Sequence, residues 1–476
     1  MVSIRSSVLG LSVVILTSSI TALQSTWLAP CDSCSPRKLL PLREVKKPAS
    51  ARIGFCFERN ETTEIQELAD EYLISRGLSH LGTLQALKFT LTRAIQRGEL
   101  RIGVTGGSVS VGGACYEEPE KMWFNHMRSE VSRKLKDVGL KISVTLTNIA
   151  QGATGPERVF LCGKELLNDA QPDIFILEYA INENGGTFSE LLVRQASMES
   201  AVIFVETFSL RDKREGFKSA QMAHDTLARY YDVPIISARD AFRDAFRRDQ
   251  NILNQYFSAD QHHPSCCGHL SLGGLAAAVI SLGVDALVIP QKHKPANGLY
   301  SRETLPPFLD ISNTNPPRYM LERVPDCMLA ASRLSEFSQS SWHAGSVQKP
   351  TFDCTSPEDG NFSINVQCDR ALFQDGDEFC QIIVFYTRSW QPIGNALIYV
   401  NDAIDPIQLI GFAEEWRAAG YQWTIQQMTS PYEVSLRIGA GASKLSIQCA
   451  GTTQAPDEME SAFQRTIFQL HGVAVV

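Results

Sequence analysis

The chain has 476 residues, a formal net charge of −8 and 44% apolar residues, with a pI near 5.7. That length exceeds one ordinary domain and allows two or three, each with room for a core. The acidic balance argues against the clustered basic face that a nucleic-acid footprint needs.

Met1 to Arg5 carries one positive charge, and Val8 to Leu23 is an apolar run broken only by Gly, Ser and Thr. Residues 1–23 therefore read as a signal peptide or signal-anchor. The cleaved form is favoured because the run falls short of the ~20 residues that span a bilayer. The chain is expected in the secretory pathway, secreted or held at a membrane only if that segment stays uncleaved. Twelve cysteines suit such an oxidising compartment, as do two glycosylation sequons at Asn60 and Asn361.

Residues 24–97 read as a linker and a helical lead-in. Trp27 to Arg52 is rich in Pro, Ser and charge, and its Cys31-Asp32-Ser33-Cys34 is structural rather than redox-active, since no strand precedes it. From Glu64 to Gly98, Leu68, Leu73, Leu81, Leu84, Leu87 and Leu91 recur at helical spacing.

Between 98 and 290, strand-like runs at 100–105, 142–148, 173–179, 201–206 and 233–236 alternate with helical stretches at 117–137, 187–199, 217–231 and 268–287. Such alternation predicts a parallel sheet covered by helices on both faces, a three-layer α/β/α domain. Four groups fall on its loops. Gly106-Gly107 permits a tight turn that lifts the Ser108 hydroxyl above the first strand. Gly152, in the small-residue loop after the second, can expose its backbone N–H. Asn182 follows the third and offers a side-chain amide. In Asp260-Gln261-His262-His263-Pro264, the three-residue spacing lets one turn of loop bring the Asp260 carboxylate to the His263 Nδ1–H, leaving Nε2 for a serine.

In this order the four pieces resemble the blocks of the SGNH hydrolase (GDSL-like lipase/esterase) superfamily over roughly residues 98 to 290. The resemblance implies that Ser108 is the nucleophile and His263 the general base, oriented by Asp260. It also implies an oxyanion hole made of the Ser108 N–H, the Gly152 N–H and the Asn182 side chain, with no cofactor. Two departures from the family pattern are Gly-Gly-Ser at the nucleophile and Asn182-Glu183 in the third block. His262 competes with His263, but in an extended segment its side chain points away from its neighbour's. His263, Cys266, Cys267 and His269 look superficially like metal ligands, yet their spacing fits no ordinary zinc motif, and disulfide or buried thiol is the better reading of the cysteines.

Residues 291–339, with Pro306-Pro307 and Pro316-Pro317, read as an irregular connection. From 340 to 476, short strands at Phe362–Cys368, Phe379–Arg388, Asn395–Asn401, Tyr432–Gly439, Lys444–Cys449 and Phe468–Val475 predict a β-sandwich-like accessory domain. It has little helix except near Ala413 to Ala419. Cys354, Cys368, Cys380 and Cys449 fall in it and could staple it. Its run from Cys380 to Trp390 is similar to a β-domain that follows some eukaryotic SGNH domains. The expected activity is hydrolysis of an ester, with acylated carbohydrate the first choice of substrate. An O-acyltransferase with the same triad, and a non-catalytic glycan-binding protein on a hydrolase fold, are the alternatives.

Overall fold

The computed structural model describes residues 71–167, 170–183, 185–210, 220–288, 299–301 and 304–309, and beyond them Asn401 and the strands named below. The expected leader at 1–23, the Cys31–Cys34 pair, Asn60 and the expected helix near Ala413 lie outside the described residues.

Five parallel strands, β1 (Glu99–Gly106), β2 (Ser143–Asn148), β3 (Ile174–Glu178), β4 (Ala201–Glu206) and β5 (Ile235–Ser237), form one sheet in the order β2-β1-β3-β4-β5. The sequence explains the order. β3 (IFILE) and β4 (AVIFVE) are buried at every position, as central strands of a covered parallel sheet must be, whereas β2 (SVTLTN) alternates half-buried and exposed residues at the edge.

One face is covered by helices α1 (Gln85–Arg97) and α3 (Trp123–Asp137) and by the long helix α9 (Cys266–Val288). Leu87 and Leu91, Trp123, Met127 and Val131, and Leu272, Leu275 and Val279 share one core there. The opposite face is covered by α4 (Glu157–Leu166), α5 (Thr187–Ala196) and α6 (Gln221–Tyr230), through Val159, Phe160, Leu191, Leu192 and Leu227. By length and a mean hydropathy of 1.8, α9 could cross a bilayer, but 72% of that stretch is buried in the fold, as a core helix is. The expected α/β/α domain is therefore present.

Three local expectations need correction. Residues 238–256, for which no helix is expected, form α7 (Ala238–Arg248) and α8 (Gln250–Tyr256). Their N-caps are Ser237, which accepts from Asp240 N–H, and Asp249, which accepts from Asn251 N–H. β5 is only three residues long and runs straight into α7, so no loop separates the two periodicities. The stretch read as an irregular connection docks on the α/β domain in part: Leu305, Phe308 and Leu309 pack on the second core, and Arg194 donates to the Pro306 carbonyl. The same stretch also holds β6 (Asp326–Leu329), which pairs with the last strand of the second domain. Four residues are too short for alternation to mark a strand.

That second domain is antiparallel. One sheet runs β13 (Met428–Gly439), β10 (Phe379–Arg388), β15 (Phe468–Val475), β8 (Phe352–Cys354), β7 (His343–Ala344), with β6 on β15. The other runs β12 (Ile407–Leu409), β11 (Asn395–Val400), β14 (Gly441–Gly451), β9 (Asn361–Cys368). Along β9 the buried Ile364 and Val366 alternate with the exposed Ser363 and Asn365, and Ile382, Val384 and Tyr386 of β10 and Leu445 and Ile447 of β14 are also buried, as apolar strand residues facing the inside of a β-sandwich-like fold are.

Candidate active site

The chain leaves β1 for β2 on one side of the sheet and returns to β3 on the other, so the strand order switches direction at β1. Open α/β sheets form their ligand crevice at such a point, outside the carboxyl ends of the strands. Ser108 follows β1 and Asn182 follows the adjacent β3. Gly106 pairs with Glu178 across those strands, and Gly107 N–H donates to the Glu178 carbonyl at 3.2 Å. Ser108 then opens the short helix α2 (Ser108–Val111).

The Ser108 Oγ lies 2.7 Å from His263 Nε2, and His263 Nδ1 lies 2.6 Å from Asp260 Oδ2. The second Asp260 oxygen closes the loop that carries the imidazole. It accepts from Ser258 Oγ at 2.6 Å, His262 N–H at 2.9 Å and His263 N–H at 3.0 Å. Ser258 N–H in turn reaches the His263 carbonyl, and Gln261 takes a left-handed φ of 55° at the turn. Partial burial would raise the Asp260 carboxyl pKa, but these hydrogen bonds outweigh it and hold the group well below the usual carboxylate range. His262 turns elsewhere: its Nδ1 sits 2.8 Å from Ser209 Oγ, and its ring stands perpendicular to that of His263.

The metal-like cluster resolves into other chemistry. Cys266 is in a disulfide with Cys115, whereas Cys267 is in none. His269 is fully buried, with Nε2 3.0 Å from the Gly113 carbonyl and Nδ1 accepting from Trp123 N–H at 3.3 Å. Burial lowers its pKa to about 4, which keeps the ring neutral. The disulfide and His269 together hold the 112–115 loop against His263: a β-carbon on residue 113 would lie 2.7 Å from His263 Cδ2, so that wall has to be glycine. Cys162 is also disulfide-bonded.

Of the two expected auxiliary donors, Gly152 follows Gln151, whose N–H donates to the Gly106 carbonyl at 3.0 Å, so the β2 loop is fastened to the turn that carries Ser108. The Asn182 amide lies against Gly107. A β-carbon there would fall 2.0 Å from Asn182 Oδ1, so only glycine lets the amide come so close to the turn that carries Ser108.

Beneath these groups lies a buried polar layer not anticipated from the sequence. Glu178 and Glu206, each the last residue of an apolar strand, are both fully buried. Glu178 accepts from Ser110 Oγ at 3.0 Å and Thr207 Oγ1 at 2.6 Å. His224 bridges Glu183 (Nε2 to Oε2, 2.9 Å) and Glu206 (Nδ1 to Oε1, 2.8 Å) and stacks on Phe204. Burial by itself would lower the His224 pKa, but the two acidic neighbours raise it to about 10, while burial also raises that of Glu206. The available signal was an acid closing each of two otherwise apolar strands.

Burial pushes the Glu178 carboxyl up to about 7 from an ordinary 4.5. A raised folded pKa gives stability that is fully present below the unfolded value and lost as pH rises through the folded one. Glu178→Gln is thus expected to flatten the fall in thermal midpoint between about pH 4.5 and 7; an unchanged slope would place that titration elsewhere.

No protein-family model and no curated protein matches the chain. Among solved structures, it is similar to a two-domain esterase active on acetylated mannans, at 19% identity and a TM-score of 0.54, covering 84% of this chain and 97% of that one. The same kind of two-domain esterase co-crystallised with mannopentaose gives 19% identity, a TM-score of 0.53 and the same coverage. At that identity the likeness speaks for the fold. The chain has a three-layer α/β/α domain followed by a β-sandwich-like domain, the two-domain arrangement of these similar structures.

Proposed function

We propose that the protein is a serine ester hydrolase of the SGNH type that removes acyl groups from acylated carbohydrate. The observation that carries this reading is the continuous Asp260–His263–Ser108 hydrogen-bond chain at 2.6 and 2.7 Å, standing at the topological switch point of the sheet. Neutral His263 takes the Ser108 proton on Nε2 as Oγ attacks the ester carbonyl. Asp260, kept ionised by its four hydrogen bonds, holds Nδ1–H and stabilises the imidazolium that forms. The Ser108 and Gly152 N–H groups and the Asn182 amide stabilise the oxyanion, each donor worth about 3 to 4 kcal/mol of barrier. His263 then returns the proton to the leaving alcohol, and water activated by the same ring resolves the acyl-enzyme.

The substrate class draws support from the acetylated-mannan esterases of similar fold. The β-sandwich-like domain is assigned an accessory role in glycan contact, since all the triad and oxyanion groups precede residue 270. Entry into the secretory pathway, with glycan attachment at Asn60 and Asn361, accords with the apolar run after Arg5 and the Cys115–Cys266 disulfide. Incubation with an acetylated mannan and with an aryl acetate is the test. Acetate should be released from both, and faster per unit concentration from the glycan. Release from the aryl ester alone would overturn the substrate assignment while leaving the hydrolase reading intact.

A further inference from the structure

We propose that the Glu183–His224–Glu206 relay is the device that positions the Asn182 donor, so that Glu183 is a positioning residue for ester cleavage. This rests on the serine-hydrolase reading above. The amide of Asn182 has little to orient it directly: its Oδ1 is buried without a hydrogen-bond partner, and its main contact with the nucleophile turn is the close approach to Gly107. Its placement therefore falls to the backbone turn that follows β3, in which the N–H groups of Asn182 and Glu183 both donate to the Tyr179 carbonyl, at 2.9 and 3.1 Å.

That turn is gripped from outside at two places. Ala220 N–H, at the start of α6, donates to the Ala180 carbonyl at 2.7 Å. The Glu183 carboxylate accepts from Ser189 N–H at 3.2 Å and Ser189 Oγ at 2.5 Å on α5, and from His224 Nε2 on α6 at 2.9 Å. His224 is in turn fixed by Glu206 at the end of β4 and by the Phe204 ring, 4.8 Å away and nearly parallel. The residue beside the donor is thus tied to α5, α6 and β4, and a rigid scaffold of this kind is what a donor aimed at a developing charge requires. Both imidazole nitrogens face glutamate oxygens, so His224 ties Glu183 and Glu206 together through two hydrogen bonds. A third-block glutamate, one methylene longer than aspartate, supplies the reach to two helices at once.

The test compares Glu183→Ala, Asn182→Ala and the double variant in the full chain, each normalised to sites titrated with a fluorophosphonate. Glu183→Ala is expected to lower kcat on an aryl acetate by about tenfold to a hundredfold, with KM changed little, as misplacement of a group by an ångström does. Added to Asn182→Ala, it should cost almost nothing further, because the donor it positions is gone. Glu183→Gln keeps one oxygen to accept from Ser189 Oγ and His224 Nε2 but turns its NH2 towards Ser189 N–H, so it should recover part of the loss. Should Glu183→Ala not fold, Ser189→Ala makes a milder cut, with a smaller fall and the same non-additivity expected. Full kcat per titrated site, or losses that add in the double variant, would overturn the proposal and leave Glu183 a residue of fold stability alone. Failure of the parent chain to label would bring down the serine-hydrolase reading itself, and this inference with it.

Discussion

Ser108→Ala is expected to abolish ester hydrolysis and fluorophosphonate labelling together, with a fall in kcat on the order of 10^6-fold. The magnitude follows from the proposed role: alanine leaves His263 with no hydroxyl to deprotonate, and what remains is the contribution of the oxyanion donors and of binding. The fold should survive, since the Ser108 side chain bonds to His263 and bears no other described hydrogen bond. Thermal unfolding beside the parent chain separates lost chemistry from lost structure. Undiminished labelling in a folded Ser108→Ala protein would remove Ser108 from the mechanism and point to another nucleophile.

Asp260→Asn should lower kcat by about 10^4-fold, the size of loss seen when the orienting carboxylate of a serine protease triad is made an amide. An amide beside Nδ1 allows the ring to present the wrong tautomer to Ser108, and it cannot stabilise the imidazolium. The carboxylate is held low enough that it remains charged across the neutral range, so the variant's deficit should persist at every pH where the parent is active. Because Asp260 also caps the 258–263 loop through three further hydrogen bonds, the thermal midpoint has to be measured alongside. His262→Ala is the control. Its Nδ1 engages Ser209 rather than Ser108, and only a severalfold change is expected. Equal damage from His262→Ala and His263→Ala in folded proteins would undo the assignment of the base.

The wide separation of Ser108 and His263, 155 positions along the chain, sets how much of this was readable in one dimension. β3 and β4 are apolar runs because both faces of a central parallel strand are covered, and burial leaves that mark on composition. The 106–108 turn and the 260–263 loop were legible because each is local. A pair of glycines permits the turn, and a carboxylate three residues before an imidazole reaches it within one loop. α7 and α8 were not anticipated even though Ser237 and Asp249 cap them, because β5 leaves no gap in which the change of period is visible. β6 escaped notice because its partner, β15, lies more than a hundred residues on.

What the sequence by itself determined, then, is the layered α/β domain, the strand ends that bear Ser108, Gly152 and Asn182, and the local coupling of Asp260 to His263. Only the tertiary structure decided that Cys115 pairs with Cys266, that His269 fastens Gly113 against His263, and that Glu183, His224 and Glu206 meet beside Asn182. The difference is physical. A turn or a strand is fixed by the torsional and burial preferences of neighbours in the chain. A buried polar relay exists only because helices α5 and α6 and strand β4 bring together groups that, unpaired, would be too costly to remove from water.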